Sequence, residues 1–259
     1  MNYKTILMAS AAVVFASAAN AADITSPMYL PNAGEILSNT SIQYDRASLK
    51  HNWGAAEDFR ASEEITYGIT NNFSVYGEIG NQFDFEGLTN REYNNDHNFD
   101  YKIGAKLNLN TCNNWLAQIG ASYYTMDPKS WYGHRGNDSR WYKELEANVK
   151  LGYDMQNGLL PYTSFTASSN IDEADRTLEY SWFGGVHYTQ NKYSVDAGIR
   201  YDFSLDQANQ NTWWAEAEAN YFVKENMTVG IFGDYYLGGT GSDDIDYNYT
   251  LGLNAKVLF

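Results

Sequence analysis

Ile245-Asp246-Tyr247-Asn248-Tyr249-Thr250-Leu251-Gly252-Leu253-Asn254-Ala255-Lys256-Val257-Leu258-Phe259 closes the sequence, and its pattern decides the fold. Tyr247, Tyr249, Leu251, Leu253, Ala255, Val257 and Phe259 alternate with Asp246, Asn248, Thr250, Gly252, Asn254, Lys256 and Leu258. Successive strand side chains point to opposite faces, whereas a helix would interleave the two sets every 3.6 residues. The stretch is therefore a strand, apolar on one face with aromatics at its ends, and polar and small on the other.

The same period of two recurs toward the N-terminus. Tyr193, Val195, Ala197, Ile199, Tyr201 and Phe203 alternate with Ser194, Asp196, Gly198, Arg200 and Asp202. Phe99, Tyr101, Ile103, Ala105 and Leu107 alternate with Asp100, Lys102, Gly104 and Lys106. Trp213 to Tyr221 and Leu145 to Leu151 repeat the pattern, with the charges on one face only. Twelve strands are predicted, at 34–46, 59–69, 73–83, 97–109, 115–126, 139–153, 159–168, 177–189, 193–203, 212–223, 227–237 and 245–259.

The connections come in two alternating kinds. Short turns fall at 70–72, 110–114, 154–158, 190–192 and 224–226, and longer polar loops at 47–58, 84–96, 127–138, 169–176, 204–211 and 238–244. With both ends on the periplasmic side, this is the order that a bacterial transmembrane barrel requires, as is the even strand count. The fold class read here is all-β: a single antiparallel up-and-down transmembrane β-barrel of about twelve strands, with short periplasmic turns and longer extracellular loops.

The N-terminus sets the compartment. Lys4 precedes an apolar, alanine-rich stretch from Ile6 to Ala19, and Ala19-Asn20-Ala21 fits the small-x-small rule for signal cleavage between Ala21 and Ala22. The stretch is short of the ~20 apolar residues that cross a bilayer as a helix. The expected organisation is a signal peptide at 1–21, a periplasmic N-terminal arm at 22–33 and the barrel at 34–259, in the cell outer membrane.

Composition agrees. Mean hydropathy is −0.51, while aromatics reach 16%, with 22 Tyr and 7 Trp against 4 Pro, and such residues favour strands. A single cysteine, Cys112, excludes an internal disulfide framework. The net charge of −15 argues against nucleic acid as a partner, since no basic patch offsets it.

A soluble sandwich or lipocalin-like barrel would turn the apolar face inward instead. Gly, Ala and Tyr fill an interior poorly but suit a lipid-facing band with aromatic girdles, and twelve long strands are unusual in a soluble barrel. Two places fit less well. Glu63 falls in the outward phase with Ala61, Ile65 and Tyr67, where charge is costly, and the segment 159–167, which carries Pro161, alternates weakly.

The signal, the alternation, the turn and loop order and the ending Asn254-Ala255-Lys256-Val257-Leu258-Phe259 together resemble small, porin-like outer-membrane β-barrels of Gram-negative bacteria. The resemblance implies outer-membrane lipid and lipopolysaccharide as surroundings. It also implies periplasmic chaperones and the barrel-assembly machinery as partners, with Phe259 as the assembly signal. Ser26-Pro27-Met28-Tyr29-Leu30-Pro31 is a distinctive arm to which no substrate attaches.

The inward phase carries the candidate function. Its acidic members are Glu64, Glu78, Asp100, Glu144, Glu146, Glu179, Asp196, Asp202, Glu216, Glu218, Asp234 and Asp246. Its basic members are Arg60, Lys102, Lys106, Arg140, Lys150, Arg200 and Lys256. Such mixed charge either lines a water-filled pore or bridges a narrow interior and plugs it. The pairs Glu144/Glu146 and Glu216/Glu218 have the spacing of glycosidase carboxylates, but every charged strand face produces such pairs. His187-Tyr188-Thr189 comes nearest to a barrel phospholipase set, yet its His falls in the inward phase and a Thr stands where a Ser is needed.

No enzyme is indicated, no cofactor is expected, and His51, His97, His134 and His187 show no metal spacing. The acidic loops lack the EF-hand pattern. Two functions remain. One is a channel for passive diffusion of small hydrophilic solutes, favouring cations or neutral polar ones. The other is a structural or surface-interaction barrel with a blocked lumen, whose loops present Trp53, Tyr93, Trp131 and Tyr132 to a partner.

Overall fold

Each strand pairs antiparallel with the next in sequence, and the last returns to the first. In the computed structural model these are β1 (Ile36–Leu49), β2 (Ala55–Thr70), β3 (Phe73–Asp84), β4 (His97–Leu109), β5 (Trp115–Met126) and β6 (Tyr142–Tyr153). They continue as β7 (Leu159–Asn170), β8 (Leu178–Gln190), β9 (Tyr193–Ser204), β10 (Asn211–Lys224), β11 (Met227–Thr240) and β12 (Ile245–Leu258). The strands form one closed barrel.

The structure describes residues 23–49, 55–84, 97–109, 113–126, 142–171, 178–204, 211–240 and 245–259. The cleavage pair Ala21 and Ala22, the residues His51, Cys112, His134 and Arg140, and the loop aromatics Trp53, Tyr93, Trp131 and Tyr132 lie outside these segments.

Closure is carried by the C-terminal strand. β12 runs beside β1 from Leu37 opposite Leu258 to Ser48 opposite Tyr247. At the rim, the Ile36 N–H donates to the Phe259 carbonyl at 3.1 Å, and the Phe259 N–H donates back to Ile36 at 2.8 Å. A closed sheet leaves no edge, so wall backbone groups find partners within hydrocarbon.

The pleat is inverted relative to a soluble protein. Ile103, Ile231, Leu251 and Leu253 are 60% or more exposed on the outer wall, whereas Ser74, Asp100, Gln118, Ser194 and Thr228 are almost wholly buried. This ordering excludes an inward apolar core.

Aromatic side chains ring both margins of the outer wall. At the turn margin Trp115 meets Tyr153 at 5.2 Å and Tyr193 meets Tyr221 at 5.4 Å between ring centroids. At the loop margin Tyr201 meets Trp213 at 4.3 Å and Tyr180 meets Phe203 at 5.3 Å. These are the girdles of a membrane barrel, set where an amphipathic ring reaches the headgroups.

Both discordant places have physical explanations. Glu63 points outward, as its phase requires, and stands opposite Thr40 on β1. Ser38 donates its hydroxyl to Glu63 at 2.5 Å, and the Thr40 hydroxyl donates to the other carboxylate oxygen. Pro161 lies one residue beyond the last β6–β7 pair, Gly152 with Tyr162, the kind of position where a sheet tolerates proline.

Candidate lumen site

The inward charges gather into three groups rather than a uniform field. The first spans β2, β3 and β4. Arg60 Nη2 lies 2.7 Å from Glu78 Oε1 and 2.7 Å from Asp100 Oδ1, and Nε adds a 3.0 Å bond to Asp100 Oδ2. Asp100 is 1% exposed. Gly80 makes the fit possible, because a Cβ there would stand 2.4 Å from the Asp100 carboxylate.

The second group joins β2, β4 and β6. Lys102 reaches Glu146 at 3.0 Å, and Lys106 lies 3.6 Å from Glu64 and 4.4 Å above the ring of Tyr76. Glu144 faces inward on β6, nearer the loop end. The third group lies on β9, β10, β11 and β12. Arg200 holds Asp202 at 3.0 Å, also pairs with Glu216, and packs 5.1 Å from the Trp214 ring. Lys256 and Asn254 both donate to Glu218 at 2.8 Å, and Asp234 accepts the Thr250 N–H at 3.1 Å.

The turn end of the lumen is occupied by residues 23–35, which precede β1. The segment is built from consecutive tight turns: Ser26 N–H donates to the Asp23 carbonyl and Tyr29 N–H to that of Ser26, both at 3.0 Å. The Asp23 carboxylate accepts the Thr25 N–H at 3.1 Å, an Asx turn. Ile24, Met28 and Leu30 are at most 6% exposed, and Pro31 is fully buried.

Five side-chain contacts tie this arm to the wall. Asp23 Oδ2 lies 2.8 Å from His187 Nε2 and accepts the Thr189 hydroxyl. Lys150 donates to the Pro27 carbonyl at 3.2 Å, and Asn108 to the Met28 carbonyl at 3.3 Å. The Asn71 side chain accepts the Ala33 N–H at 3.1 Å. Gly68 admits the chain, because a Cβ there would fall 2.0 Å from the Asn32 carbonyl.

Burial alone would raise the Asp23 carboxyl. Hydrogen bonds from His187, Thr189 and Thr25, with the His187 charge, outweigh it and lower the pKa to about 2. On its far side, His187 Nδ1 lies 3.4 Å from Asp196 Oδ2, and Tyr162 donates to Asp196 at 2.8 Å.

Above the arm is a chamber of about 400 Å³, walled by Lys106, Lys150, Lys256, Glu64, Asp196, Glu216, Glu218 and Asp234 together with Tyr162, Phe183 and Phe232. The structure therefore collects eight of the candidate lumen residues around one space. Glu78, Asp100, Lys102, Glu144, Glu146 and Arg200 do not line it. The arm, Tyr162 and Phe232 were not candidates by sequence. The arm has no period to read, and the segment around Tyr162 alternates weakly. Phe232 shares the inward phase of Asp234 but carries no charge to mark it, unlike Phe183, which the phase of its own strand does place inward as a stacking surface. Among the described residues, no group of three or more His, Cys, Asp or Glu is placed to hold a metal ion.

No protein-family model matches the sequence, and no curated protein matches it. Solved structures do. The COG4313 outer-membrane channel from Pseudomonas putida F1 is 14% identical and superposes with a TM-score of 0.64 over 92% of this chain and 100% of that one. The chain shares the fold of outer-membrane channels. The NanC porin is similar at 12% identity and a TM-score of 0.57, over 84% of this chain and 98% of that one. The KdgM porin is similar at 9% and 0.54, over 85% and 99%, and it has also been solved with a disordered oligogalacturonate.

Proposed function

We propose that the protein is an outer-membrane channel through which small hydrophilic solutes diffuse passively, with a preference for cations or neutral polar solutes. The observation that carries this reading is the inner wall. Charged side chains from most of the strands converge on a 400 Å³ chamber instead of a packed core, as they would around a water-filled path. Five carboxylates and three lysines line that chamber, and a low-dielectric wall focuses their field along the axis. The shared fold with the NanC and KdgM porins is in keeping with this reading.

Conduction by the purified protein in planar bilayers tests it. Discrete current steps and a reversal potential of cationic sign in a salt gradient are expected. Replacing Glu216 and Glu218 by Gln should shrink that potential, most visibly at low salt, where screening extends beyond about 10 Å. An anion-selective wild type would place control with Lys102, Lys106, Lys150 and Arg200 instead.

A second reading has its own observation. The arm fills the turn end, and a barrel so closed would serve as a structural or surface-interaction element. Silence in the bilayer, with normally folded protein, would favour it.

The remaining partners belong to the same proposal. The apolar outer wall and its girdles suit outer-membrane lipid and lipopolysaccharide. Phe259, paired with Ile36 at the closing seam, suits recognition by the barrel-assembly machinery after periplasmic chaperones deliver the exported chain.

A further inference from the structure

Three inward aromatic rings lie flat against the wall, each on a glycine of a neighbouring strand. Phe232 on β11 stands opposite Gly252 on β12, and a Cβ on Gly252 would fall 2.2 Å from the ring. Phe183 on β8 lies over Gly198 and Gly185, where added Cβ atoms would fall 2.3 and 2.6 Å from it. Tyr76 on β3 covers Gly104 on β4 in the same way, at 2.5 Å. An inward ring that met a side chain next door would be pushed on edge into the lumen. Here the neighbour is missing its side chain three times over, so each ring lies against the wall. Tyr76 and Phe183 are buried there, at 7% and 8% exposed, and Phe232 keeps more of its surface open to the interior.

Phe183 and Phe232 both line the chamber above the arm. Tyr162, 5.2 Å from Phe183 between centroids and tilted by 34°, extends the platform. Around the rings stand hydrogen-bonding groups that already have partners: Glu216 with Arg200, Glu218 with Lys256 and Asn254, and Asp196 with Tyr162 and His187. Such groups still offer lone pairs and N–H bonds to a ligand. An apolar face bordered by donors and acceptors fits a ring that is apolar above and below and hydroxylated at its edge. The volume is within the range of small-molecule sites.

We propose that this chamber is a binding site for an uncharged sugar, whose ring stacks on Phe232, with Phe183 extending the apolar wall behind it, while its hydroxyls bond the paired polar groups around them. The proposal deepens the channel reading by naming a solute class, but binding does not require conduction. Acidic sugars are disfavoured, because carboxylates outnumber lysines in the lining. In this respect the lumen is unsuited to a polymer such as the oligogalacturonate recorded with the KdgM porin.

The test uses the full-length barrel in detergent and in bilayers, with glucose and sucrose as neutral probes and gluconate as the acidic one. Equilibrium dialysis of labelled sugar reads binding whether or not the barrel conducts. Wild type should bind the neutral sugars and bind gluconate at least tenfold more weakly. Phe232→Tyr should keep the binding. Phe232→Leu, which preserves apolar bulk without a ring face, should lose most of it, as should Gly252→Ala, which lifts the ring off the wall. Heat-modifiable migration must be unchanged in each, so that loss of fold is told apart from loss of the site. If Phe232→Leu binds as wild type does, or gluconate binds better than glucose, the proposal is overturned. If no neutral sugar binds, it is likewise overturned, and ion conduction in that same preparation leaves the channel reading standing. Sugar binding without conduction would overturn the channel reading and uphold the site.

Discussion

Glu63 and Glu64 are neighbours in the chain and face different solvents. Glu63 looks out of the barrel and is held by two neutral hydroxyls, those of Ser38 and Thr40 on β1. Glu64 looks into the lumen, where Lys106 lies 3.6 Å away and the Thr66 hydroxyl donates to it at 3.1 Å. The two walls satisfy the same side chain by different means. The outer wall uses short polar residues one strand away, since a long cation there would itself have to be kept in hydrocarbon. The inner wall uses cations, several of which reach the next strand but one, and charge on one strand thereby fixes charge on another. Changes on the inner wall should therefore alter conduction and fold together, and changes on the outer wall should be local.

The largest effect is expected from emptying the inner wall. Deleting residues 23–31 removes Asp23 from His187 and Thr189, and the carbonyls of Pro27 and Met28 from Lys150 and Asn108. Single-channel conductance should rise severalfold, while the barrel, whose strands all lie beyond the deletion, keeps its heat-modifiable migration. Unchanged conductance would show that the narrowest point is above the arm, in the chamber. A barrel that no longer forms would show that the arm is a folding element of the wall.

Next comes the buried network on β2, β3 and β4. Arg60→Met leaves Asp100, 1% exposed, without its guanidinium partner. Breaking one side of such a pair costs about 3–5 kcal/mol. Urea unfolding of the reconstituted barrel should read a loss of that order. Adding Asp100→Asn should recover much of it, because the uncompensated charge then disappears. Equal losses in the single and double variants would mean that Arg60 acts by packing alone.

How far the sequence reached follows the same division between walls. The outer wall was legible residue by residue, because period-two alternation is a local property and lipid imposes one requirement everywhere. Strand order and closure followed from the turn and loop sequence, and the observed strands differ by at most a few residues, mainly at loop ends. β2 begins at Ala55, not at 59, and β11 runs to Thr240, not to 237. The inner wall was legible only as a set of residues. Alternation says that Arg60 and Asp100 both face inward, but not that a glycine at 80 lets them meet. Nor does any period announce that Asp23 would dock 164 positions away on His187. Such contacts depend on the three-dimensional closure of the barrel, which no window of sequence contains.

Acid should loosen the arm. The Asp23 pKa is lowered to about 2 from the ordinary carboxyl value of 3.8. A depressed carboxyl contributes stability that is fully present above the unfolded value and is lost as pH falls through the folded one. Arm docking should thus be intact at neutral pH and weaken between about pH 4 and pH 2, by roughly 2 kcal/mol in total. Conductance should increase over that window. Asp23→Asn should behave at neutral pH much as the wild type does in acid and should lose this pH dependence. A pH response that persists in Asp23→Asn would move the titrating group to the carboxylates of the chamber.

The smallest effect is expected on the outer wall. Glu63→Gln retains an acceptor oxygen for one of the two hydroxyls while removing a carboxylate from the lipid-facing surface. The lost charge-assisted bond and the relieved desolvation oppose each other, and acidic residues are the less costly charges in this position. Stability in lipid should change by less than about 1 kcal/mol in either direction, consistent with a local polar cluster. Conductance and ion preference should stay at wild-type values. Glu64→Gln on the next residue should shift the reversal potential and free Lys106, with little change in the outer wall. The pair of variants thus reads the two walls separately, one residue apart. If Glu63→Gln altered conduction as much as Glu64→Gln does, the walls would be mechanically coupled through β2, and treating the outer surface as a passive lipid seal would be wrong. If it instead unfolded the barrel, the Ser38–Thr40–Glu63 cluster would be a structural clasp between β1 and β2, next to the strand that closes the cylinder.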